Sequence, residues 1–311
     1  METLFRDVRF GLKVLWKERT FSATVLLTLA VCIGANVSMF SVIRTVLLKP
    51  LPFEAPESLV TVYNSYPRAG AVRAGSGSVD FLQRRENVAA FEEVAVYRGS
   101  GNTVGEVGST QRVETMHVSP TFFPMLGIDA AMGRTFTEDE MDVGSHLKVV
   151  LTHGYWQDYF GGALDVIGKE LRVDARQYTV VGVLGPGFIM PDRAQTRFFM
   201  PTAFSEEQRQ IDSWHSNNFS MMARLRPDAS VEQATAQNAA LNERLIDQWP
   251  MPGARQILED AGYNTVVVPA QADMVRDFQA ALYMLWAGVG FVLLIGCVNI
   301  ANLMLARAQS R

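Results

Sequence analysis

The chain has 311 residues, of which 48% are hydrophobic, and it carries a formal net charge of −4 at pH 7. This length allows two soluble domains, or one domain together with membrane spans. Residues 49–277 hold 20 basic and 29 acidic side chains. That balance excludes a basic surface for nucleic acid or anionic lipid. The only cysteines, Cys32 and Cys297, lie outside this region, so it contains no disulfide.

The first 19 residues place apolar side chains three and four apart, with basic residues between them. This spacing is typical of an amphipathic helix in the membrane interface, with its Lys and Arg toward the headgroups. The apolar positions are Leu4, Phe5, Val8, Leu12, Leu15 and Trp16. The alternative is a helix that packs on a soluble core, which would leave the adjoining apolar segment unexplained.

Two uncharged stretches, residues 20–43 and 278–306, are long enough to cross a bilayer. A spanning helix needs about 20 apolar residues, whereas a buried core helix usually has about 10 to 14. A signal peptide is a further alternative for the first stretch. Its apolar run is longer than the 7 to 15 residues typical of signal peptides, and no small-residue cleavage site follows it. We therefore predict transmembrane helices at residues 20–48 and 278–306.

The orientation follows from the basic residues that flank these spans. Such residues remain on the cytoplasmic side, while long loops cross regardless of charge. Five of them lie in residues 1–19, and Arg307 and Arg311 lie in the final segment, residues 307–311. Both termini are predicted to be cytoplasmic, with residues 49–277 on the opposite side of the membrane.

The region between the spans has the pattern of an α+β domain. Pro50 and Pro52 end the first helix, and alternating apolar residues predict a strand at 59–64. A Gly-, Ala- and Ser-rich loop at 69–78 leads to a predicted helix at 78–90, capped by Ser78, and then to a strand at 91–98.

The second half of this region repeats the strand, helix, strand order. It is predicted as a strand at 219–226, a helix at 231–249 capped by Ser230, and a strand at 263–270. The middle reads as a β-rich insertion with a short helix closed by Gly127 and strands at 148–153, 169–184 and 197–204. Two βαβ segments around an insertion predict a split ferredoxin-like sandwich.

The middle region also carries a run of four acidic residues that invites a metal-site interpretation. A capping box is expected at Thr137 and Glu140, with Phe136 and Met141 placed for a hydrophobic staple. The acids at 138–140 and 142 lack the ligand spacing of a calcium loop, so we assign them to a helix start. The histidines show no zinc spacing; they are His117, His146, His153 and His215.

No nucleotide-binding or catalytic motif is present in the sequence. The phosphate-loop pattern GxxxxGK[ST] is missing, and the glycine clusters at 99–108 and 182–187 are assigned to turns. The GSGS sequence at 75–78 lies in what we expect to be a flexible loop and lacks the strand that precedes a nucleophilic serine. The N-x-S matches at Asn36 and Asn218 are at chance level. We predict no catalytic, cofactor-binding or metal-binding residues.

Several polar and small residues lie inside the predicted spans. Polar side chains in lipid usually face a partner helix, and small ones permit close approach. The polar residues are Asn36, Asn299 and Asn302, and the small ones are Gly34, Ala35, Ala287, Gly288 and Gly290. We interpret them as helix-packing positions, with a transport pathway as the alternative.

Together, several long motifs resemble the MacB-like and FtsX-like permeases of ABC transporters, particularly duplicated permeases without a fused ATPase. They are RTVLLKPLPFEAPESLV after the first span, MHVSPTFFPMLGIDAAMGRTFTEDE, VVLTHGYWQDYFGGALDVIGKELRVDARQYTVVGVLGPGF, ARLRPDASVEQA, and LLIGCVNIANLMLARAQSR at the end. Their order covers nearly the whole chain.

The resemblance implies a periplasmic core domain in a bacterial inner-membrane protein. Its porter part would map to 58–115 and 216–270, and its inserted sabre part to 116–215. It also implies mechanotransmission, in which an ABC-type ATPase in trans moves the transmembrane helices and thereby the periplasmic domain. Residues 299–311 would belong to the stalk helix of such a permease.

Family permeases have at least four spans, so we expect this chain to be an N-terminal part that associates with other permease chains or with the missing helices. The expected function is a permease subunit of an export system. The alternative is a membrane-tethered binding or sensor domain without ATPase coupling.

Overall fold

The computed structural model describes residues 9, 16–17, 19–106, 108–188, 190 and 195–309. Most of the predicted interfacial helix at 1–19 lies outside these residues. The chain forms two compact units, Pro50–Met274 and the pair of segments Met1–Lys49 and Val275–Arg311.

The described residues contain both helices and strands. The helices are α1 Arg19–Ile43, α2 Ser78–Asn87, α3 Phe122–Met125, α4 His153–Phe160, α5 Glu206–Arg209, α6 Val231–Gln248, α7 Ala254–Ala261 and α8 Ala270–Gln309. The strands are β1 Leu59–Ser65, β2 Phe91–Val104, β3 Gln111–Val118, β4 Ala130–Gly133, β5 Lys148–Leu151, β6 Glu170–Val173, β7 Arg176–Leu184, β8 Phe198–Pro201, β9 Ser220–Leu225 and β10 Asn264–Pro269.

Among the described residues, two helices are long and apolar enough to cross a membrane. They are Arg19–Ile43, with 25 residues, and the stretch Ala270–Leu305 of α8, with 36 residues. A π-helical turn, Arg44–Leu48, follows α1. Only 11% and 6% of the most apolar window of each helix is buried within the chain. The core helix of a soluble protein would be mostly buried, so these outward apolar surfaces fit a membrane environment.

One 10-stranded sheet runs through the unit Pro50–Met274. Its main path is β10-β1-β9-β2-β3-β8-β5-β7-β4, and β6 pairs with β2 and β7. The first four strands, β10, β1, β9 and β2, are mutually antiparallel along the path. This order is that of a ferredoxin-like sheet built from two βαβ halves, with α2 and α6 as the crossovers. The predicted split sandwich is therefore confirmed.

The strand β2 joins this half of the sheet to the β-rich insertion. Its first part, from Phe91 to Tyr97, pairs with β9, and its second part, from Tyr97 to Val104, pairs with β3. The division into porter and sabre parts at 115/116 and 215/216 stays a prediction.

Several local predictions were wrong at their boundaries. The cap of α2 is Gly77, not Ser78, and the helix ends at Asn87 rather than at residue 90. Asp80 accepts a hydrogen bond from the Gly77 backbone N at 2.8 Å and so takes the role that we assigned to Ser78. In contrast, Ser230 caps α6 as predicted, because its hydroxyl accepts from the backbone N of Gln233.

The glycine clusters are not all turns. Gly101 lies within β2 opposite Glu114, and Gly182 lies within β7. A Cβ at Gly182 would sit 2.1 Å from the backbone oxygen of Arg134, so close strand packing requires glycine there. Gly105 and Gly108, with φ of 116° and 94°, do occupy turns as predicted.

The expected flexible loop at 75–78 is also buried and fixed. Ser76 exchanges two backbone hydrogen bonds with Phe219, at 2.7 and 3.0 Å. A Cβ at Gly75 would lie 2.3 Å from the backbone oxygen of Asn217. The GSGS sequence is therefore a close backbone crossing inside the folded unit.

Candidate functional site

The segments that lead to and from the two long helices are held in one hydrophobic cluster, which we call the anchor cluster. Leu51 and Phe53 follow α1 in the chain, and Ala270 and Met274 lie at the start of α8; all four pack into this cluster. Ala270 is completely buried and Phe53 is 8% exposed. The rest of the cluster comes from one face of the sheet and from the aromatic α3 region.

The anchor cluster has an aromatic centre. Phe123 contacts Phe136, Phe188 and Phe199 with ring centroids 6.0, 6.0 and 5.1 Å apart. Phe188 also lies 6.4 Å from Phe53. Edge-to-face aromatic contacts add about 0.5–1.5 kcal/mol each to the burial of their surface. The segment after α1 is therefore packed directly on rings of the β-rich insertion.

An ion pair fixes the first turn of α8. Both guanidinium Nη atoms of Arg73 donate to the two carboxylate oxygens of Asp273. Asp273 is 4% exposed, and the Arg73 guanidinium lies 4.6 Å from the centre of the Tyr63 ring. The hydrogen bond that Arg73 donates to Asp273 raises the pKa of Arg73. An acidic side chain in a first turn also interacts favourably with the helix dipole.

A buried polar network holds the opposite face of the ferredoxin-like half. Asp80 and Arg84 on α2 form an ion pair at 3.2 Å, and each side chain is 1% exposed. Arg84 donates to Asn64 on β1 at 2.5 Å and to Thr265 on β10 at 3.0 Å. Thr265 in turn accepts from Asn242 on α6 at 2.9 Å. One arginine thus connects both halves of the split sandwich.

The carboxylate of Asp80 accepts three hydrogen bonds in addition to its ion pair with Arg84. It accepts from the backbone N of Gly77, from Asn64 and from Trp214, at 2.8, 2.8 and 3.0 Å. Burial alone would raise the pKa of Asp80, but Arg84 and these three donors outweigh it and lower the pKa. Asp80 is therefore a charged group stabilised by its partners, and not a free acid or base.

His215 lies next to this network, among aromatic side chains. Its Nδ1 lies 2.5 Å from the Tyr66 hydroxyl, and its ring contacts those of Trp214, Trp249 and Tyr263. Burial lowers the pKa of His215 to about 4, so the ring is neutral at pH 7. Its Nε2 has no hydrogen-bond partner among the described residues. The residue has a φ of 65°, which few non-glycine residues adopt.

The other histidines and the acidic run have separate local roles. Burial lowers the pKa values of His117 and His146. In the acidic run, Glu140 is buried and pairs with Arg134 at 2.7 Å, which the sequence did not indicate. Glu140 also accepts from the backbone N of Thr137 at 3.0 Å, one half of the predicted capping box. Among the described residues, no group of three or more His, Cys, Asp or Glu side chains could hold a metal ion.

The helices α1 and α8 contact each other at Asn36 and at Gly296, among other described residues. Asn36 donates to the Val289 backbone oxygen at 3.3 Å, as predicted for a polar residue that faces a partner helix. At Gly296, a Cβ would lie 2.8 Å from the Cys32 sulfur. The predicted small positions Gly34, Gly288 and Gly290 have open space around them instead. Gly296 was missed because small residues recur all along α8 and spacing alone does not select one.

The resemblance inferred from the sequence motifs is confirmed by comparison with known proteins. Residues 22–241 match the family described as MacB-like periplasmic core domain. A crystallised domain assigned to a permease protein from Porphyromonas gingivalis is 18% identical, covers 70% of this chain and 92% of its own, and has a TM-score of 0.54. At this identity the likeness shows the fold alone.

Two further structures are similar at lower TM-scores. The periplasmic region of MacB from Actinobacillus actinomycetemcomitans is 12% identical and covers 78% of this chain and 98% of its own, with a TM-score of 0.44. The extracellular domain of the noncanonic ABC-type transporter YknZ from Gram-positive bacteria is also 12% identical, with 60% and 94% coverage and a TM-score of 0.44. No curated protein matches the sequence.

The family match spans well over half of the chain. The fold agrees with it, because a mixed sheet domain lies in sequence between two helices that are apolar enough to span a membrane. The chain therefore belongs to the MacB-like periplasmic core domain family and carries the periplasmic-type domain of an ABC-type transporter permease.

Proposed function

We propose that the chain is a permease subunit, or the N-terminal part of one, in an export system driven by an ABC-type ATPase in trans. The ATPase binds and hydrolyses ATP in the cytoplasm and displaces the transmembrane helices. The periplasmic domain then changes conformation and moves its substrate by mechanotransmission. Both termini are cytoplasmic in this scheme, in accord with the basic residues at 1–19 and 307–311.

The anchor cluster is the observation that supports this proposal most directly. Residues on both sides of the domain, Phe53 and Ala270, enter the same packed cluster. Because packed cores are close to incompressible, a displacement of either segment shifts shared neighbours rather than dissipating in a loose linker. A membrane-tethered binding or sensor domain would not require the segments before and after it to pack in the same cluster.

The ion pair between Arg73 and Asp273 is a second support. It ties the first turn of α8 to the loop that follows β1, and Asp273 is almost completely buried. The side chain of Arg73 is 36% exposed, and its two N–H groups bind both carboxylate oxygens, a bidentate geometry that fixes the relative orientation of the two groups. The start of α8 therefore moves together with this loop unless the pair is broken.

The first experiment tests for an ATPase partner. The full chain is expressed in its native membrane, crosslinked, and analysed by mass spectrometry for cytoplasmic partners. Recovery of a nucleotide-binding subunit is the expected result. A stably folded chain that recovers no such subunit would contradict the proposal and favour the tethered binding or sensor domain.

The second experiment tests mechanotransmission in the recovered complex. Hydrogen exchange is compared with and without ATP in the Arg73→Ala variant and in the unaltered chain. ATP is expected to change exchange in both α8 and the loop at 69–78, and the variant is expected to lose the change in the loop. The matched control is Arg255→Ala, which removes an exposed pair with Glu243. An ATP response that is identical in all three proteins would oppose a role for this pair in coupling.

A further inference from the structure

Residues 54–58, which follow α1 in the chain and lead into β1, form a short segment that we call the exit joint. Its bend contains Ala55 in the left-handed region, with φ of 39° and ψ of 60°. The Cβ atom makes this conformation unfavourable for alanine, and such strain persists only where surrounding contacts hold it. The contacts of Ala55 therefore decide the shape of the joint.

Three donors converge on the carbonyl oxygen of Ala55. The backbone N and the hydroxyl of Ser58 donate to it at 3.0 and 2.8 Å, and Nη1 of Arg224 on β9 donates at 3.1 Å. Ser58 belongs to the joint itself, so Arg224 is the one of these three donors that comes from another part of the fold. Its Nη1 also donates to the Ser58 hydroxyl at 2.6 Å. Arg224 thus holds the strained bend against the sheet.

The remaining donors of Arg224 connect the joint to α3. Nη2 donates to the carbonyl oxygen of Glu54 at 2.7 Å and to that of Met125 at 2.5 Å. Nε donates to the same Met125 oxygen at 2.9 Å. Met125 is the last residue of α3, where carbonyl groups lack partners within the helix. One guanidinium therefore binds both segments at once, and its charge makes these bonds stronger than neutral ones.

The joint also packs directly on the turn that follows α3. The backbone N of Glu54 donates to the Leu126 carbonyl oxygen at 3.4 Å. A Cβ at Gly127 would lie 2.7 Å from the Glu54 Cβ. A groove of about 660 Å³ borders the joint as well and is lined by Ala55 and Ser58, among others. The segment therefore has free space beside it and can change conformation without displacing a packed core.

We propose that the exit joint is a latch between the segment after α1 and the β-rich insertion. Arg224 is the positioning residue that holds it closed, and Ala55 is the position at which it opens. While the joint is latched, a displacement of the segment after α1 shifts α3 and β9 with it. When Arg224 releases it, Ala55 leaves the left-handed region and the two parts move separately. The use of this latch in export rests on the proposed function, but the latch itself is a property of the chain.

The test is hydrogen exchange of the full chain in lipid nanodiscs, compared between the unaltered protein and Arg224→Met. The reporters are the backbone amides of residues 54 and 58 in the joint and of residues 126 and 127 after α3, all of which donate backbone hydrogen bonds. We expect both groups to exchange roughly tenfold faster, the effect of losing about one charge-assisted hydrogen bond.

Two further variants separate this effect from a general loss of folding. Arg226→Met is the matched control, because Arg226 lies just beyond β9 and its Nε donates to the Ala89 carbonyl oxygen instead. It should leave both groups of amides unchanged. Arg224→Lys keeps the charge but loses the planar fork that reaches four acceptor oxygens. It should give a smaller change in the same direction, and it serves as the second variant if Arg224→Met folds poorly.

Rescue by Ala55→Gly distinguishes a latch from an ordinary stabilising contact. Glycine adopts the left-handed conformation without a Cβ clash, so the joint no longer has to be held against strain. In the Arg224→Met background, Ala55→Gly should slow exchange in the joint about two- to fivefold. Ala229→Gly is the control, because Ala229 lines the same groove but does not have a positive φ. It should give no rescue.

Unchanged exchange at residues 54 and 58 in both Arg224 variants would overturn the proposal. Faster exchange in the joint alone, with residues 126 and 127 unaffected, would overturn it as well, because Arg224 would not connect the two segments. So would a failure of Ala55→Gly to rescue, or an equal rescue by Ala229→Gly.

The ATPase-partner experiment is independent of these outcomes. The expected exchange pattern without an ATPase partner would leave the latch while removing the permease role. The converse result would remove the latch alone.

Discussion

Replacement of Arg84 by methionine tests the buried ion pair most directly. The change keeps a long apolar stem but removes the charge that faces Asp80 at 3.2 Å in a site where both side chains are 1% exposed. Asp80 keeps only three uncharged donors, from Gly77, Asn64 and Trp214. Removing one partner of a buried ion pair typically costs about 3–5 kcal/mol. For a folded unit of this size that corresponds to a fall in Tm of roughly 10 °C.

The pH dependence identifies the cause of this loss. In the unaltered chain the pKa of Asp80 is lowered. The stability that its ionised carboxylate contributes is therefore fully present above the pKa that Asp80 has in the unfolded chain. This stability is lost as the pH falls from that value through the lower pKa of the folded state. Without Arg84, burial raises the pKa of Asp80 above its unfolded value. The stability deficit of Arg84→Met should therefore be larger at pH 8 than at pH 5. A double variant, Asp80→Leu with Arg84→Met, should recover part of the loss because no buried charge remains.

The measurement is thermal unfolding of the full chain in nanodiscs, followed by tryptophan emission, since Trp214 donates directly to Asp80. Arg85→Met is the matched control, because Arg85 is the next residue on α2 but pairs with Glu138 on the surface. Exposed pairs are worth about 0–1 kcal/mol. A deficit that is equal at pH 5 and pH 8, or no larger than that of Arg85→Met, would refute the reasoning.

Three further predictions follow from single residues. The pKa of His215 is about 4 in the folded state, below its ordinary value of 6.5. The free energy of unfolding should therefore fall by up to roughly 3 kcal/mol as the pH falls from about 6.5 to about 4. His215→Phe should reduce this dependence of the Tm on pH in thermal unfolding. Gly182→Ala places a Cβ 2.1 Å from a backbone oxygen and should lower stability by about 1–3 kcal/mol in the same assay; an unchanged Tm would contradict the close packing. Gly296→Leu should separate α1 from α8 and increase maleimide modification of Cys32, which is 6% exposed, whereas Gly288→Leu, with open space around it, should leave modification unchanged.

The sequence was sufficient for the features that depend on composition and local order. Two uncharged stretches of more than 20 residues predicted the long apolar helices, because crossing a bilayer demands length and apolarity regardless of the rest of the fold. The order strand, helix, strand on both sides of the insertion predicted the ferredoxin-like half, since each crossover leaves few topological choices. The Ser230 cap was predictable because its hydrogen bond spans only three residues.

Local patterns failed where a distant segment decided the outcome. Gly182 belongs to a strand because it pairs with β4 and β5, and the backbone oxygen of Arg134 leaves no room for a Cβ there. The backbone of Asn217 leaves no room for a Cβ at Gly75. Ser78 looked like a cap, but Asp80 had to be buried beside Arg84, and its carboxylate satisfies the end of the helix instead. The segments that approach Gly182 and Gly75 are far away in sequence, and the burial of Asp80 also involves Trp214, which is 134 residues away.

The sequence by itself determined the class of protein: an apolar helix, an α+β domain and a second apolar helix, in an order that resembles one family. The tertiary structure alone decided which residues act together. The anchor cluster joins Phe53 to Ala270, and the buried polar network joins Arg84 to Thr265, across long stretches of chain. Periodicity reports how a segment is buried, but the identity of its neighbours depends on sheet order and strand register, which appear only when the whole chain has folded.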